Sequence, residues 1–106
     1  MEENKVFRML GLATRAGKIA FGNVSVEDTI IKKKAKLVLI AEDSADRTKN
    51  NIIRIAEQNK VPYRIYGTIE SLSRSIGKDN KAIVSIKDSN FVNEILKLID
   101  GGEIIG

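Results

Sequence analysis

Neither cysteine nor histidine occurs anywhere in the 106-residue chain, and these two absences exclude more chemistry than any single residue present establishes. Without cysteine there is no disulfide and no thiol nucleophile. Without histidine there is no Ser-His-Asp relay, and without both there is no zinc site of the ordinary kind. What stays open is carboxylate or lysine chemistry, magnesium held by acidic side chains, or no catalysis at all. Proline appears once, at position 62. No apolar run approaches the roughly 18 residues that a membrane-spanning helix requires, so no membrane partner is expected. The N-terminal MEENKVFRML lacks the basic start and apolar middle of a secretory signal, which makes the cytoplasm the expected location.

What is present describes an ordinary globular chain with a basic bias. An apolar fraction of 42 % beside 30 % charged residues suits one folded core, and the length suits one domain spanning residues 1–106. The formal charge of +4 and the pI near 9.4 suit a polyanionic partner.

Helical and extended patterns alternate along the chain. Val6, Met9, Leu10 and Ala13 recur at i, i+3, i+4 and i+7, so the spacing predicts an amphipathic helix from Glu3 to Ala13, with Gly17 at its exit. Lys18 to Phe21 reads as a short strand closed by Gly22. Asn23 is the expected cap of a second helix, in competition with a Ser25-Asp28 capping box, and that helix runs into KKKAK, where positive charge opposes the negative end of the helix dipole. Leu37 to Ala41 is a continuous apolar run, as in a central strand covered on both faces. Glu42, Asp43 and Ser44 offer the entrance of a third helix, closed by Asn59 and Lys60. Val61 to Tyr66 reads as a strand with Pro62 near its start. Thr68 caps a short helix ended by Gly77, Ala82 to Ile86 is a second central strand, and Asp88 or Ser89 caps a last helix that Gly101 and Gly102 release. This alternation predicts an α/β fold, a three-layer α/β/α sandwich.

Each chemically suggestive feature has a plainer explanation beside it. Gly11, Gly17 and Gly22 match neither the Walker spacing nor the dinucleotide Gly-x-Gly-x-x-Gly, and helix and strand ends account for them. Glu42, Asp43 and Asp46 follow a central strand, where α/β proteins place ligands, yet capping of the next helix explains them without a metal. Tyr63 and Tyr66 suit packing in a half-buried strand. Lysines 32, 33, 34 and 36 suit either a solvated helix end or a grip on phosphates. Arg15, Lys18, Lys78 and Lys81 tilt that balance towards nucleic acid.

Five blocks, LGLATRAGK, KAKLVLIAED, VPY, SLSRSIGK and DSNFVNEIL, give the chain from Phe7 to Leu98 a close resemblance to a known family. It resembles the ribosomal protein superfamily of L-seven-Ae and L-thirty-e type, whose members bind kink-turn RNA, and within it the small bacterial YlxQ-like branch. The resemblance implies an α/β/α sandwich with a mixed, roughly four-stranded sheet and no enzymatic activity or cofactor. It also implies an RNA surface made by the entrance of the second helix and the loop before the last strand. RNA-binding relatives begin that helix Gly-x-Asn-Glu-x-x-Lys; the matching positions here are Gly22, Val24, Ser25 and Asp28, of which only the glycine agrees. The loop maps to residues 76–82, and Lys36 matches a basic position common in the family.

Together these readings name Gly22, Asn23, Ser25, Lys33, Lys36 and the loop Gly77, Lys78, Asp79, Asn80 and Lys81 as RNA-binding candidates. Gly22 permits close backbone approach, Asn23 and Ser25 supply hydrogen bonds, and the lysines hold phosphates. The expected partner is a structured, kinked RNA such as ribosomal RNA or a riboswitch-type kink-turn, with the ribosome or transcription machinery as the setting. The alternative expectation is a protein-interaction module on the same scaffold that has lost kink-turn recognition.

Overall fold

Four strands and five helices alternate without exception in the computed structural model, which describes residues 4–101. They are α1 (Lys5–Arg15), β1 (Ile19–Phe21), α2 (Asn23–Ile31), β2 (Leu37–Ile40), α3 (Asp46–Gln58), β3 (Tyr63–Ile65), α4 (Ile69–Ser75), β4 (Ile83–Ile86) and α5 (Ser89–Asp100). The expected helix start at Glu3 and the releasing Gly102 lie outside the described residues.

The strand order is β1-β4-β2-β3. β4 runs antiparallel to both β1 and β2, while β2 and β3 are parallel, so the sheet is mixed. The apolar runs Leu37–Ile40 and Ile83–Ile86 are buried at every position because they occupy the two central strands. Side chains alternate across the pleat. Leu37, Leu39, Val84 and Ile86 therefore pack with Val6, Leu10, Leu72 and Ile95 on the face covered by α1, α4 and α5. Val38, Ile40 and Ile83 pack with Val26, Ile30, Ile52 and Ala56 under α2 and α3. Each fully buried Leu or Ile contributes about 1.5–3 kcal/mol of transfer free energy, which makes these two layers the main source of stability.

Ser85 is the one polar residue of the central strands, and it lies on the α2 face with no solvent exposure. Thr29 of α2 answers it across 3.0 Å. The Thr29 hydroxyl donates to the Val26 carbonyl at 2.7 Å, so the Ser85 hydroxyl is the donor to Thr29. This chain of two bonds fixes α2 against β4.

Several helix ends follow the sequence reading. Thr68 and Ser71 form a reciprocal capping box on α4, and Asp88 accepts from Asn90 and Phe91 at the start of α5. Other ends differ. Gly22, not Asn23, is the residue before α2, and no side chain caps that helix, Ser25 included. The reason is the strand before it: the Gly22 amide donates to the Ile83 carbonyl, continuing the β1–β4 ladder, while its own carbonyl accepts from Val26 to open the helix. Serving both partners requires φ = +88°, which glycine alone adopts cheaply.

The third helix begins after Ala45, later than Glu42–Ser44. Asp43 caps a different helix altogether, its carboxylate accepting from the Ile69 amide of α4 at 2.8 Å. Ser44 turns back to the Ala41 carbonyl. Nor is Gly11 at a helix end: it lies inside α1, where an added Cβ would stand 3.4 Å from the Ser75 carbonyl of α4. The KKKAK run also falls outside the last helical turn, since α2 stops at Ile31 and Lys33 adopts a left-handed φ of 61°.

On the edge strand β3, Arg64 forks onto Asp100 at the end of α5, at 2.8 and 2.7 Å. Those hydrogen bonds hold the Asp100 carboxyl below its ordinary value. Tyr63 donates to Glu57, and that bond, with some burial, pushes the phenol above its ordinary value. Tyr66 accepts from Asn4 and meets the Phe7 ring edge-on, so both tyrosines are packing residues in this fold. Among the described residues no helix is long and apolar enough to cross a membrane.

Candidate nucleic-acid interface

The Ile83 end of β4 collects most of the residues singled out in the sequence. Phe21 pairs with Val84 in register, so β1 delivers Gly22 and the start of α2 beside the first residue of β4. The loop of residues 76–82 arrives at the same place because it leads directly into that residue. Gly77 turns the chain out of α4 with φ = +71°, and the buried Ser73 hydroxyl then clamps the loop's far end through the amide and carbonyl of Lys81. The helix entrance and the loop are therefore held rigidly side by side.

Phe21 joins them. The Lys78 and Lys81 ammonium groups stand 5.2 and 5.3 Å from the centre of its ring, on attractive cation–π contacts. The sequence reading missed this role; the signal available was an aromatic residue immediately before the turn glycine. Around Gly22 there is open space: an added Cβ would meet nothing within 4 Å, so the position requires glycine for its backbone angle and leaves room for a ligand. The first-turn amides of α2 have no intrahelical acceptors, and a helix N-terminus presenting such amides attracts anions. Asn23 and Ser25 are exposed beside them, with side chains unpartnered among the described residues. Val24 between them is 83 % exposed. Asp28, one turn on, is paired with Lys32 at 3.2 Å.

This surface is mixed in charge. A shallow depression beside the loop is lined by Asp43, Glu70 and Asp79 as well as Arg74 and Lys78. Among the described residues no three carboxylates converge as a metal site would need. The arrangement can accept phosphate oxygens at the amides and lysines and offer hydrogen bonds from Asn23 and Ser25, but it contains no nucleophile with an adjacent base.

Lys33 and Lys36 are not part of it. Both lie at the opposite end of the sheet, beyond the C-terminus of α2 and before β2, where they line a second depression with Gly17, Lys18, Lys34 and Lys87. Arg15 belongs to neither surface; it lines a groove between α1 and α4 with Arg8, Leu12 and Arg74. The strand direction explains the division: Gly22 and Lys33 sit at the two ends of the same nine-residue helix.

An α/β/α sandwich with a mixed four-stranded sheet, whose helix entrance and neighbouring loop form one basic-and-polar ledge, defines a class of scaffold rather than a catalyst. The sequence profile of the ribosomal protein L7Ae/L30e/S12e/Gadd45 family matches residues 4–100, and this chain belongs to that family. A relative from Bacillus subtilis (strain 168), named RNA-binding protein YlxQ, is 39 % identical over 98 residues, covering 89 % of this chain and 94 % of its own. A protein of the same name from Enterococcus faecium is 32 % identical over 98 residues, covering 92 % and 93 %. Among solved structures, a Bacillus halodurans protein of unknown function superposes with a TM-score of 0.89 at 28 % identity, over 92 % of this chain and 99 % of that one. The Giardia lamblia 15.5kD RNA binding protein shares the fold, with a TM-score of 0.75 at 21 % identity over 95 % and 92 %.

Proposed function

We propose that this chain is a non-enzymatic RNA-binding protein of ribosomal type that recognises a kinked or irregular structured RNA, of the kink-turn kind, in the cytoplasm. The observation that carries this reading is the ledge at the Ile83 end of β4, where Lys78 and Lys81 stand over Phe21 beside the uncapped entrance of α2. The family and the names of the YlxQ relatives support it. RNA is read at distorted features because the A-form major groove is too narrow for side chains. On this reading the α2 amides, Lys78 and Lys81 hold phosphates, Gly22 lets the RNA backbone come close, and Asn23 and Ser25 reach base edges, with Gly77, Asp79 and Asn80 shaping the loop. Ribosomal RNA and riboswitch-type kink-turns are the RNA classes it fits, with the ribosome or transcription machinery as the setting.

The second reading, a protein-interaction module, draws on one observation: Val24 and Ile31 are 83 % and 61 % exposed and, seven residues apart, share one face of α2. Lys78 and Lys81, over Phe21 at the α2 entrance, supply the charge an RNA surface needs, which favours the first reading. A salt series of binding to a short RNA with a tandem-G·A kink, beside a straight duplex of equal length, tests the choice. The expected result is a preference for the kink that is lost on Asn23→Ala with Lys81→Ala. Equal, weak binding to both that vanishes with salt would overturn kink recognition and direct the search to a protein partner.

A further inference from the structure

The lysines at the other end of the sheet, Lys33 and Lys36 among them, form a more strongly charged surface than the proposed kink-binding ledge, and that ledge does not use them. The last paired row of the sheet is Ile19, Ile86 and Leu37 on β1, β4 and β2. One residue beyond that row, each of the three adjacent strands carries a lysine: Lys18, Lys87 and Lys36. Backbone bonds continue through them, from the Lys87 amide to the Lys18 carbonyl and from the Lys36 amide to the Ile86 carbonyl, both at 2.8 Å. Three ammonium side chains are thus set in one cross-strand row, with strands about 4.8 Å apart. Like charges directly opposite one another on a sheet repel.

Lys33 and Lys34 extend the row from the turn after α2. The Lys34 and Ala35 amides both donate to the Thr29 carbonyl, which fixes that turn, and Lys33 takes a left-handed conformation in which glycine would be less strained. Among the described residues none of the five lysines has a carboxylate partner, in contrast to Lys32, Arg64, Arg74 and Lys97, which all have one. Their depression, about 400 Å³, is lined by these lysines and Gly17 alone, and it is open. It holds no apolar pocket for the side chains of a peptide and no carboxylate to orient a cation. A comb of ammonium groups on flexible stems, rooted in paired backbone over an open surface, fits a ridge of phosphates.

We propose that Lys18, Lys33, Lys34, Lys36 and Lys87 form a second RNA site, separate from the α2 ledge, that holds the phosphate backbone of a helical arm. The two sites lie at opposite ends of β4; from Lys81 to Lys87 the nearly extended chain spans about 20 Å, so one RNA reaches both only if an arm continues past the kink. The inference rests on the RNA-binding reading of the protein but not on kink recognition. Phosphate contacts position an RNA without reading its sequence, so this surface adds affinity and salt dependence and leaves the preference for a kink unchanged.

The test uses the full chain with Lys36→Gln and Lys87→Gln together, and a control with Arg54→Gln and Lys97→Gln that removes equal charge elsewhere. Binding to the kinked RNA and to a straight RNA duplex, each with an arm longer by about one helical turn than the kink itself needs, is followed across a salt series. For the Lys36/Lys87 variant the slope of log K against log salt becomes shallower by about 1 per lysine on both RNAs, the ratio of kinked to straight affinity stays constant, and the control keeps the wild-type slope. An unchanged slope, or an equal loss in the control, overturns the site. If wild-type protein shows no kink preference, the kink reading falls, while the slope on the straight duplex still decides this one. Displacement of RNA by polyglutamate with no loss on Lys36→Gln and Lys87→Gln would also overturn it.

Discussion

Replacing Thr29 by valine should destabilise the protein more than replacing Ser85 by alanine, and the second change should rescue part of the first. Valine matches threonine in shape, so Thr29→Val removes little but the hydroxyl. That hydroxyl is the acceptor for Ser85, whose side chain is wholly buried on the central strand. A buried hydroxyl left without a partner costs about 1–3 kcal/mol, and the lost Thr29 bond to Val26 adds to it. Ser85→Ala alone leaves Thr29 donating to Val26 and costs about 1 kcal/mol. Once Thr29 is valine, Ser85→Ala removes the orphaned group and should raise stability by about 1 kcal/mol, a reversal of sign. Urea unfolding of the four proteins in this cycle reads the effect as shifts in midpoint at constant m. In thermal melts each kcal/mol appears as roughly 4–8 °C. If Ser85→Ala destabilises both backgrounds equally, the hydroxyl pair does not couple α2 to β4 and the seat assigned to the helix is wrong.

Other outcomes follow from single contacts. Phe21→Leu removes two cation–π contacts worth about 0.5–1 kcal/mol each, so urea unfolding should show a loss of at least about 1 kcal/mol, and added salt should narrow the gap to wild type. Asp43→Ala should cost about 0.5–2 kcal/mol in urea unfolding through the lost cap on α4, with magnesium making no difference to either protein. Arg64→Gln should raise the Asp100 carboxyl back towards its ordinary value in an NMR titration. Because pairing lowers that value in the folded state, its stabilisation is full above the unfolded carboxylate value and fades as pH falls through the folded one. The stability gap between wild type and Arg64→Gln should therefore close as pH falls below the ordinary carboxylate range.

The sequence by itself determined the succession of elements, because burial imposes its period locally: three apolar positions in every two helical turns, or an unbroken run on a strand covered on both faces. It also determined the absence of thiol and imidazole chemistry, and Thr68 and Asp88 announced their caps because such a cap bonds only to its own first turn. Tertiary structure decided what depends on partners distant in the chain. Asn23 looked like a cap, but the ladder to Ile83 made Gly22 the helix entrance, and Asp43 left its own helix to cap one that begins 26 residues later. Gly22, Asn23, Ser25 and the Gly77–Lys81 loop became candidates through the family resemblance, and it is the register of β1 on β4 that sets the two segments side by side at the Ile83 end. Lys33 and Lys36 could not be assigned to an end of the sheet until the direction of α2 and the register of β1, β4 and β2 were known. A stretch of basic residues carries its charge in the sequence, but the surface it joins is set by strand pairing between segments up to about 70 residues apart, and no local period records that pairing.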